Sequence, residues 1–387
     1  MSHLQSEIKK YPLLPYSQLV YDMLKTNPDV YWTRFSVRVN KGTVDMARFK
    51  NAVEVVLRNH PVFSMRVDDE GRQQYEPLDD IFHGQYHSVD FIEDEMDVRI
   101  DVAYNRILGD ARSELIMYED VCRAYEGLQL LPDNYVTYLE RTEQEKQSAR
   151  YAASKEWLKQ FFYKLNCPVY PKTDIPLELE TCPIEGIWMD DYSDVCGAIN
   201  LLLKQSILPL TAFFSLASAL AMMEFNGTEE AALTWAYEGR EHPEEQRVYG
   251  SLHRDIPFYI RKSQIENLKS DLIRQARNQI RTGIAHSDYP YTLTKPYTQR
   301  WNYALNVLVQ PKDEELEKRI PFPIEVVSTK DEQPHSAYAL LDVEVHATAE
   351  FLGLLFRYSA THYKPESIRR FAALIRKYAE WILEDNK

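Results

Sequence analysis

The stretch VDMARFKNAVEVVLRNHPVFSMRVD (44–68) predicts a helix that is followed directly by a strand. Its first part places apolar side chains on one helical stripe, with Asp45 near the start as a capping residue. The stripe consists of Met46, Phe49, Val53, Val56 and Leu57. The runs VFSMRVD and QQYEPL, separated by the turn signal DDEGRQ, are typical of two short strands.

Helical and strand-like patterns alternate through the rest of the chain as well. Helices are predicted over 111–128, 139–164, 207–224, 265–282 and 365–384, and strands around 231–237, 303–310, 341–347 and 351–358. This mixture in both halves favours an α/β fold built as an α+β sandwich over an all-α or all-β fold.

Four prolines and no clear period mark the stretch 166–186, which is typical of a linker. We therefore predict an N-terminal lobe at 1–165, a linker at 166–194 and a C-terminal lobe at 195–387. A length of 387 residues suits two domains of ordinary size.

The net charge of −14 argues against binding to nucleic acid or to anionic membranes, because both need a cationic surface. The 4 cysteines and 10 histidines show no metal-ligand spacing, so we expect no metal site. The longest apolar stretch, 207–223, contains Pro209 and predicts a buried helix rather than a membrane span. With a polar N-terminal segment, we expect a cytoplasmic protein with reduced thiols.

Five stretches carry a family resemblance because they occur together in one order. They are YPLLPYSQLVYDM (11–23), DMARFKNAVEVVLRNHPVFSMRV (45–67), GREHPEEQRVYG (239–250), HRDIPFYI (253–260) and LLFRYSATHYKPESIRRFAALIRKYAEWIL (354–383). In this order the chain resembles the condensation domains of nonribosomal peptide synthetases, which belong to the chloramphenicol-acetyltransferase-like acyltransferase superfamily.

The resemblance implies two chloramphenicol-acetyltransferase-like lobes that meet in a V. A tunnel between them would admit a phosphopantetheine-tethered donor from one side and an acceptor from the other. We expect a free-standing domain, without attached carrier or adenylation modules.

The family's signature, His-His-x-x-x-Asp-Gly, falls on NRILGDA (105–111). Asn105 then stands for the first histidine, Arg106 for the second and Ala111 for the glycine, while Asp110 is kept. In the family the second histidine orients or deprotonates the attacking amine. A guanidinium is always charged and has no acceptor atom, so the resemblance implies that the general base is missing.

The resemblance implies a structural role for Asp110, and we expect Arg240 of the preserved Gly-Arg pair to be its buried partner. For Arg106 three interpretations remain open: an ion pair that fills the old pocket, a site for a carboxylate or a pantetheine phosphate, or a group that stabilises an oxyanion. His253 is our candidate for a displaced base.

The acceptor side departs from the family pattern as well. Arg254 and Asp255 stand where the family has asparagine and threonine. On the basic helix, Arg274, Arg277 and Arg281 are candidates for docking an acidic carrier protein, with a solvated helix face as the alternative.

Three functions follow from these patterns. The leading hypothesis is a condensation-domain-like protein that has lost histidine-dependent amide-bond formation and binds a carrier protein, a phosphopantetheine-tethered intermediate or a partner enzyme of nonribosomal peptide or acyl assembly. The second is an active acyltransferase in which Arg106, with His253, moves an acyl group from a carrier or coenzyme A thioester to an amine or alcohol. The third is a pure interaction protein. We expect no tightly bound cofactor, only phosphopantetheine or coenzyme A as a substrate arm.

Overall fold

The computed structural model describes residues 9–165, 167–176, 183–184, 186–206, 208–261, 269–290, 305–311, 325–329, 335–336, 340–347 and 351–384. The strands in chain order are β1 (Lys10–Pro12), β2 (Trp32–Asn40), β3 (Met65–Val67), β4 (Arg72–Tyr75), β5 (His87–Glu93), β6 (Asp97–Asn105), β7 (Pro183–Ile184), β8 (Gly186–Asp191), β9 (Glu230–Tyr237), β10 (Arg254–Arg261), β11 (Asn306–Pro311), β12 (Glu325–Thr329), β13 (His335–Ser336), β14 (Leu341–Ala347) and β15 (Leu352–Tyr358). The helices are α1 (Pro15–Leu24), α2 (Met46–Asn59), α3 (Ala111–Tyr125), α4 (Tyr135–Glu145), α5 (Ala149–Lys164), α6 (Ser193–Ser206), α7 (Leu210–Asn226), α8 (Lys269–Ala285) and α9 (Pro365–Leu383).

Two compact units share these elements. The first unit contains the described residues up to Gln147, the segment Glu238–His253 and strand β12. Its larger sheet has the strand order β12-β2-β6-β5, and a smaller sheet has the order β1-β4-β3. Helices α1 to α4 belong to this unit, and its apolar core includes Val20, Leu57, Ile116 and Leu139.

The second unit contains α5 to α9 and a sheet in the order β10-β9-β11-β14-β15-β8. Strand β11 runs parallel to β9 and β14, whereas the other neighbours in this sheet are antiparallel. Helix α7 lies in the middle of the core, with every residue from Ala212 to Met223 buried. It packs against α9 and the sheet, which explains why its sequence is apolar on all sides.

Side-chain caps begin helices α2 and α5, and the cap of α2 is the residue predicted from the sequence. The Asp45 side chain accepts a hydrogen bond from the Arg48 backbone N–H (3.0 Å) and begins α2. The predicted helix over 139–164 is two helices, because α4 ends at Glu145 and the Ser148 side chain caps α5 by accepting from Tyr151 N–H (3.0 Å). Helix α6 was missed by the sequence patterns.

The two units interleave along the chain and so differ from the sequential division at 165 and 195. Helix α5 lies in the second unit, while Glu238–His253 returns to the first. Strand β12 extends the first unit's sheet by pairing with β2. Contacts between residues far apart in sequence therefore set the boundaries of the two units.

Within the described part of the chain, no single helix is long and apolar enough to cross a membrane. Helices α6 and α7, bent at 112°, meet the length and composition test only as a pair.

Candidate functional site

The motif NRILGDA joins the end of β6 to the start of α3 in the first unit. Asn105 is fully buried; its Nδ2 donates to Val30 O (2.8 Å) and its Oδ1 accepts from Ile107 N–H (3.0 Å). A Cβ at Gly109 would lie 2.9 Å from atoms of both Ser113 and Tyr249. Asn105 therefore fixes the chain reversal, and Gly109 permits the close approach of its neighbours.

Asp110 is the N-cap of α3 and holds two parts of the first unit together. Its Oδ1 accepts from the backbone N–H and the hydroxyl of Ser113, both at 3.0 Å. Its Oδ2 accepts from the backbone N–H groups of Leu252 (3.0 Å) and His253 (3.2 Å). The carboxylate thus ties the start of α3 to the segment Glu238–His253.

Arg240 forms the ion pair with Asp110 that the family resemblance implies. Its Nη1 donates to Asp110 Oδ2 and its Nη2 to Asp110 Oδ1, both at 3.0 Å, and the two side chains are 0% and 5% exposed. Burial alone would raise the pKa of Asp110, but the Arg240 guanidinium holds that pKa below its ordinary value. Two guanidinium bonds and four other donor contacts surround the carboxylate, which suits a structural group rather than a proton carrier.

Arg106 directly follows β6, and its side chain forms an ion pair with Glu114 of α3. Its backbone N–H donates to Tyr31 O (2.9 Å), and its Nη1 lies 3.5 Å from Glu114 Oε1. Glu114 also accepts from the hydroxyl of Tyr104. The side chains of Arg106 and Glu114 are 32% and 41% exposed, unlike the buried pair beside them. Sequence reasoning missed Glu114, although its place four residues after the cap puts it in the first turn of α3.

His253 lies in the same unit, next to Tyr16, with ring centroids 3.8 Å apart. Its buried Nδ1 has no hydrogen-bond partner among the residues that the structure describes. Burial, opposed by Asp110 and reinforced by Arg106 and Arg240, lowers the pKa of His253 to about 4. The imidazole is therefore neutral at physiological pH and only a weak base.

The acceptor-side residues belong to β10 of the second unit. Arg254 Nη1 donates to Ser287 Oγ (3.0 Å) and lies 3.8 Å from Asp288 Oδ1. Burial raises the pKa of Asp255 to about 7. The first unit thus brings together Asn105, Arg106, Asp110, Arg240 and His253, while Arg254 and Asp255 belong to the second.

A model of the family described as "Condensation domain" matches residues 102–386. The chain belongs to the condensation-domain family. No curated protein sequence matches it at a significant level. Like other members of this family, the chain has the mixed helix and strand fold of the chloramphenicol-acetyltransferase type.

Solved structures resemble this condensation-domain protein over nearly its whole length at low sequence identity. The epimerization domain from the third module of tyrocidine synthetase B is 14% identical, with a TM-score of 0.76 and 99% of each chain covered. The condensation domain from the Monacolin K polyketide synthase is 13% identical, with a TM-score of 0.74 and coverage of 97% and 98%. A mutant starter condensation domain of rhizomide synthetase, solved in complex with C8-CoA, is 16% identical, with a TM-score of 0.71 and coverage of 97% and 94%.

Helix α8 of this condensation-domain protein carries the predicted docking residues, of which Arg274 and Arg281 are exposed and Arg277 is half-buried. Arg274 Nη2 lies 2.8 Å from Asp271 Oδ1 one turn earlier. The first four residues of the predicted helix, 265–268, lie outside the described residues. Across the described part of the chain, no group of three or more His, Cys, Asp or Glu side chains is arranged to hold a metal ion.

A second buried ionic cluster, centred on His60, was not predicted from the sequence. His60 Nδ1 lies 2.7 Å from Asp133 Oδ2, and Nε2 lies 3.1 Å from Asp120 Oδ2, with all three side chains no more than 1% exposed. Arg247 pairs with Asp120, and Tyr249 N–H donates to Asp133 Oδ2 (3.1 Å). Burial alone would lower the pKa of His60, but its contacts with the two carboxylates raise it above the ordinary value.

This raised pKa predicts a pH dependence of stability. A proton bound more tightly in the folded than in the unfolded state stabilises fully below the ordinary histidine pKa, about 6.5, and the benefit is lost as pH rises through the folded pKa. We expect the free energy of unfolding, measured with urea between about pH 6 and about pH 9, to fall more in the wild type than in His60→Gln.

His83→Gln is the matched control, because His83 contacts Asp80 and Asp90 but its side chain is 50% exposed. Exposed ion pairs contribute little to the free energy of unfolding. His83→Gln should therefore keep the pH dependence of unfolding that the wild type shows. Equal slopes for the wild type and His60→Gln would contradict the assignment.

Proposed function

We propose that this condensation-domain protein binds a carrier protein, a phosphopantetheine-tethered intermediate or a partner enzyme in a cytoplasmic nonribosomal peptide or acyl assembly pathway. It does so without amide-bond formation that depends on a histidine base at the motif. Condensation domains act on phosphopantetheine-tethered or coenzyme A substrates and work with carrier-protein domains. Membership of the family supports the ligand class, and the chemistry of Arg106 supports the loss of histidine-dependent amide-bond formation.

The observation that carries the proposal is the side chain at Arg106. The Asp110–Arg240 scaffold around it is complete, yet the position that would hold the base has a guanidinium engaged by Glu114. A guanidinium cannot accept a proton from an amine. General-base catalysis contributes about 10²- to 10⁴-fold, so an attacking amine loses that assistance here.

A second candidate function, an acyltransferase with a remodelled centre, is favoured by one observation. His253 is neutral and has a buried Nδ1 without a partner among the described residues, so it is able to accept a proton. Its pKa of about 4 makes it a poor base near neutral pH, because proton transfer is most efficient when the pKa lies near the working pH. We therefore rank this function second.

Binding of the pantetheine arm tests the proposal directly. We expect octanoyl-CoA, titrated calorimetrically into the purified protein, to bind at one site. A carrier protein with its phosphopantetheine arm should likewise bind more tightly than the same carrier without it. If neither octanoyl-CoA nor the carrier protein binds, the proposal is contradicted.

Charge reversal on α8 tests where a carrier docks. Arg274→Glu/Arg277→Glu is expected to weaken carrier binding by at least about tenfold, since it replaces two cations facing an acidic partner. Octanoyl-CoA affinity should stay unchanged. Lys155→Glu/Lys159→Glu, which reverses two exposed cations one turn apart on α5, is the matched control. An equal loss in both double variants would show a general charge effect and contradict docking on α8.

A further inference from the structure

A small cavity in the second unit is lined by residues of α5, of β10 and of the last part of α8. Its volume is about 10 Å³. The lining includes Trp157, Asp255, Gly283, His286, Ser287 and Tyr289. A buried water molecule needs about 10–15 Å³, so the cavity has room for one.

His286 lies in the turn that follows α8, and its ring stacks on Trp157. The two ring centroids are 4.9 Å apart and the planes meet at 12°. The His286 backbone N–H donates to Thr282 O (3.2 Å) and Gly283 O (3.1 Å) of the last helical turn. Its ring atom Nδ1 is buried and has no hydrogen-bond partner among the residues that the structure describes. A buried ring nitrogen is costly unless a protein group or an ordered water bonds it.

Asp255 brings a second polar group to the same cavity. Burial raises the pKa of Asp255 to about 7, and within the described part of the chain no hydrogen bond or counter-charge opposes this effect. Its neighbour Arg254 differs, because the Arg254 guanidinium donates to Ser287 Oγ (3.0 Å). The carboxyl group of Asp255 therefore needs a hydrogen-bond partner as much as the His286 ring nitrogen does.

The charges of the lining decide which ligand suits the cavity. A cation would meet the guanidinium of Arg254, which also lines it, and an anion would meet the carboxyl group of Asp255. Water carries no charge and both donates and accepts hydrogen bonds. It can therefore bond either tautomer of His286 and either protonation state of Asp255.

We infer that one ordered water molecule bridges the His286 ring and the Asp255 carboxyl group in this cavity. The bridge joins the turn after α8 to β10, beside the direct bond from Arg254 to Ser287. A water-mediated hydrogen bond is nearly as favourable in enthalpy as a direct one. The water thus helps to hold the end of α8 on the sheet, whichever ligand the domain binds.

A crystal structure of the full chain, at a resolution that shows ordered waters, tests the inference. We expect density for one water within about 3.2 Å of both His286 Nδ1 and a carboxyl oxygen of Asp255. No density in the cavity, or a water bonded to only one of the two side chains, would overturn the inference.

Two substitutions remove one partner of the water each. His286→Phe keeps a ring that can stack on Trp157 but has no Nδ1, and Asp255→Leu has no carboxyl group. We expect amide hydrogen exchange over 281–290, followed by mass spectrometry, to become about tenfold faster in each variant, because one bridging hydrogen bond is lost. Unchanged exchange in either variant would overturn the inference.

Asp255→Asn is the matched control, because the asparagine side chain keeps an oxygen that accepts a hydrogen bond from water. It should retain both the water density and the wild-type exchange over 281–290. Faster exchange in Asp255→Asn, equal to that in Asp255→Leu, would overturn the bridge. If a variant loosens the whole chain, exchange in α9 becomes faster as well, and the crystal structure of the wild type then decides.

Discussion

Asp110→Asn is expected to lower the free energy of unfolding by about 3–5 kcal/mol, the usual effect of breaking a buried ion pair from one side. The substitution would leave the Arg240 guanidinium, whose side chain is 0% exposed, without its counter-charge. It would also replace one acceptor oxygen by an NH₂ group facing the donors of Leu252 or Ser113. Chemical denaturation of the wild type and the variant at neutral pH measures the difference.

Asp29→Asn is the control, because Asp29 forms an ion pair at 3.9 Å with Arg34 and its side chain is 68% exposed. That exposed pair should contribute less than about 1 kcal/mol. The double variant Asp110→Asn/Arg240→Met should lose less free energy of unfolding than the two single variants lose together. The second change removes the unpaired charge. Additive losses would contradict direct pairing.

Arg106→His is expected to raise the rate of amide formation by about 10²- to 10⁴-fold over the wild type, the ordinary contribution of a general base. The change places an imidazole at the turn between β6 and α3, on a scaffold that the Asp110–Arg240 pair already holds. Asn105 is left in place because it is buried and its side chain bonds Val30 O and Ile107 N–H. Product formed from octanoyl-CoA and an amine, followed by mass spectrometry, gives the rate.

Arg106→Gln serves as the matched variant, because glutamine removes the charge without adding a base. Its rate should remain at the uncatalysed background. If Arg106→His binds octanoyl-CoA as the wild type does and yet forms product no faster than Arg106→Gln, then a missing base at this position does not account for the proposed absence of amide formation.

Several elements could be predicted from local sequence because local physics determines them. Helix α2 has an apolar stripe and a capping aspartate, and α7 is apolar on every side because it is buried on every side. Asp110 was expected to pair with Arg240 from the family resemblance, and the two side chains do contact each other. That expectation came from motifs of the family and not from local physics, because the two residues are 130 positions apart.

Other features depend on contacts between distant segments, which one sequence does not display. The return of Glu238–His253 to the first unit rests on bonds to Asp110 and to the His60 cluster. The break at Ser148 depends on one capping hydrogen bond within a stretch of good helix formers. Glu114 was missed since a glutamate in a first helical turn is ordinarily a favourable interaction with the helix dipole and nothing more.

We propose that the motif carrying Arg106 supplies no base for acyl transfer. A single-turnover reaction of the purified wild-type protein with an acyl-loaded carrier and an amine, compared with the uncatalysed reaction and with Arg106→Ala, tests it directly. We expect the wild type and Arg106→Ala both to form product at the uncatalysed rate. Transfer by the wild type that is abolished in Arg106→Ala would contradict it.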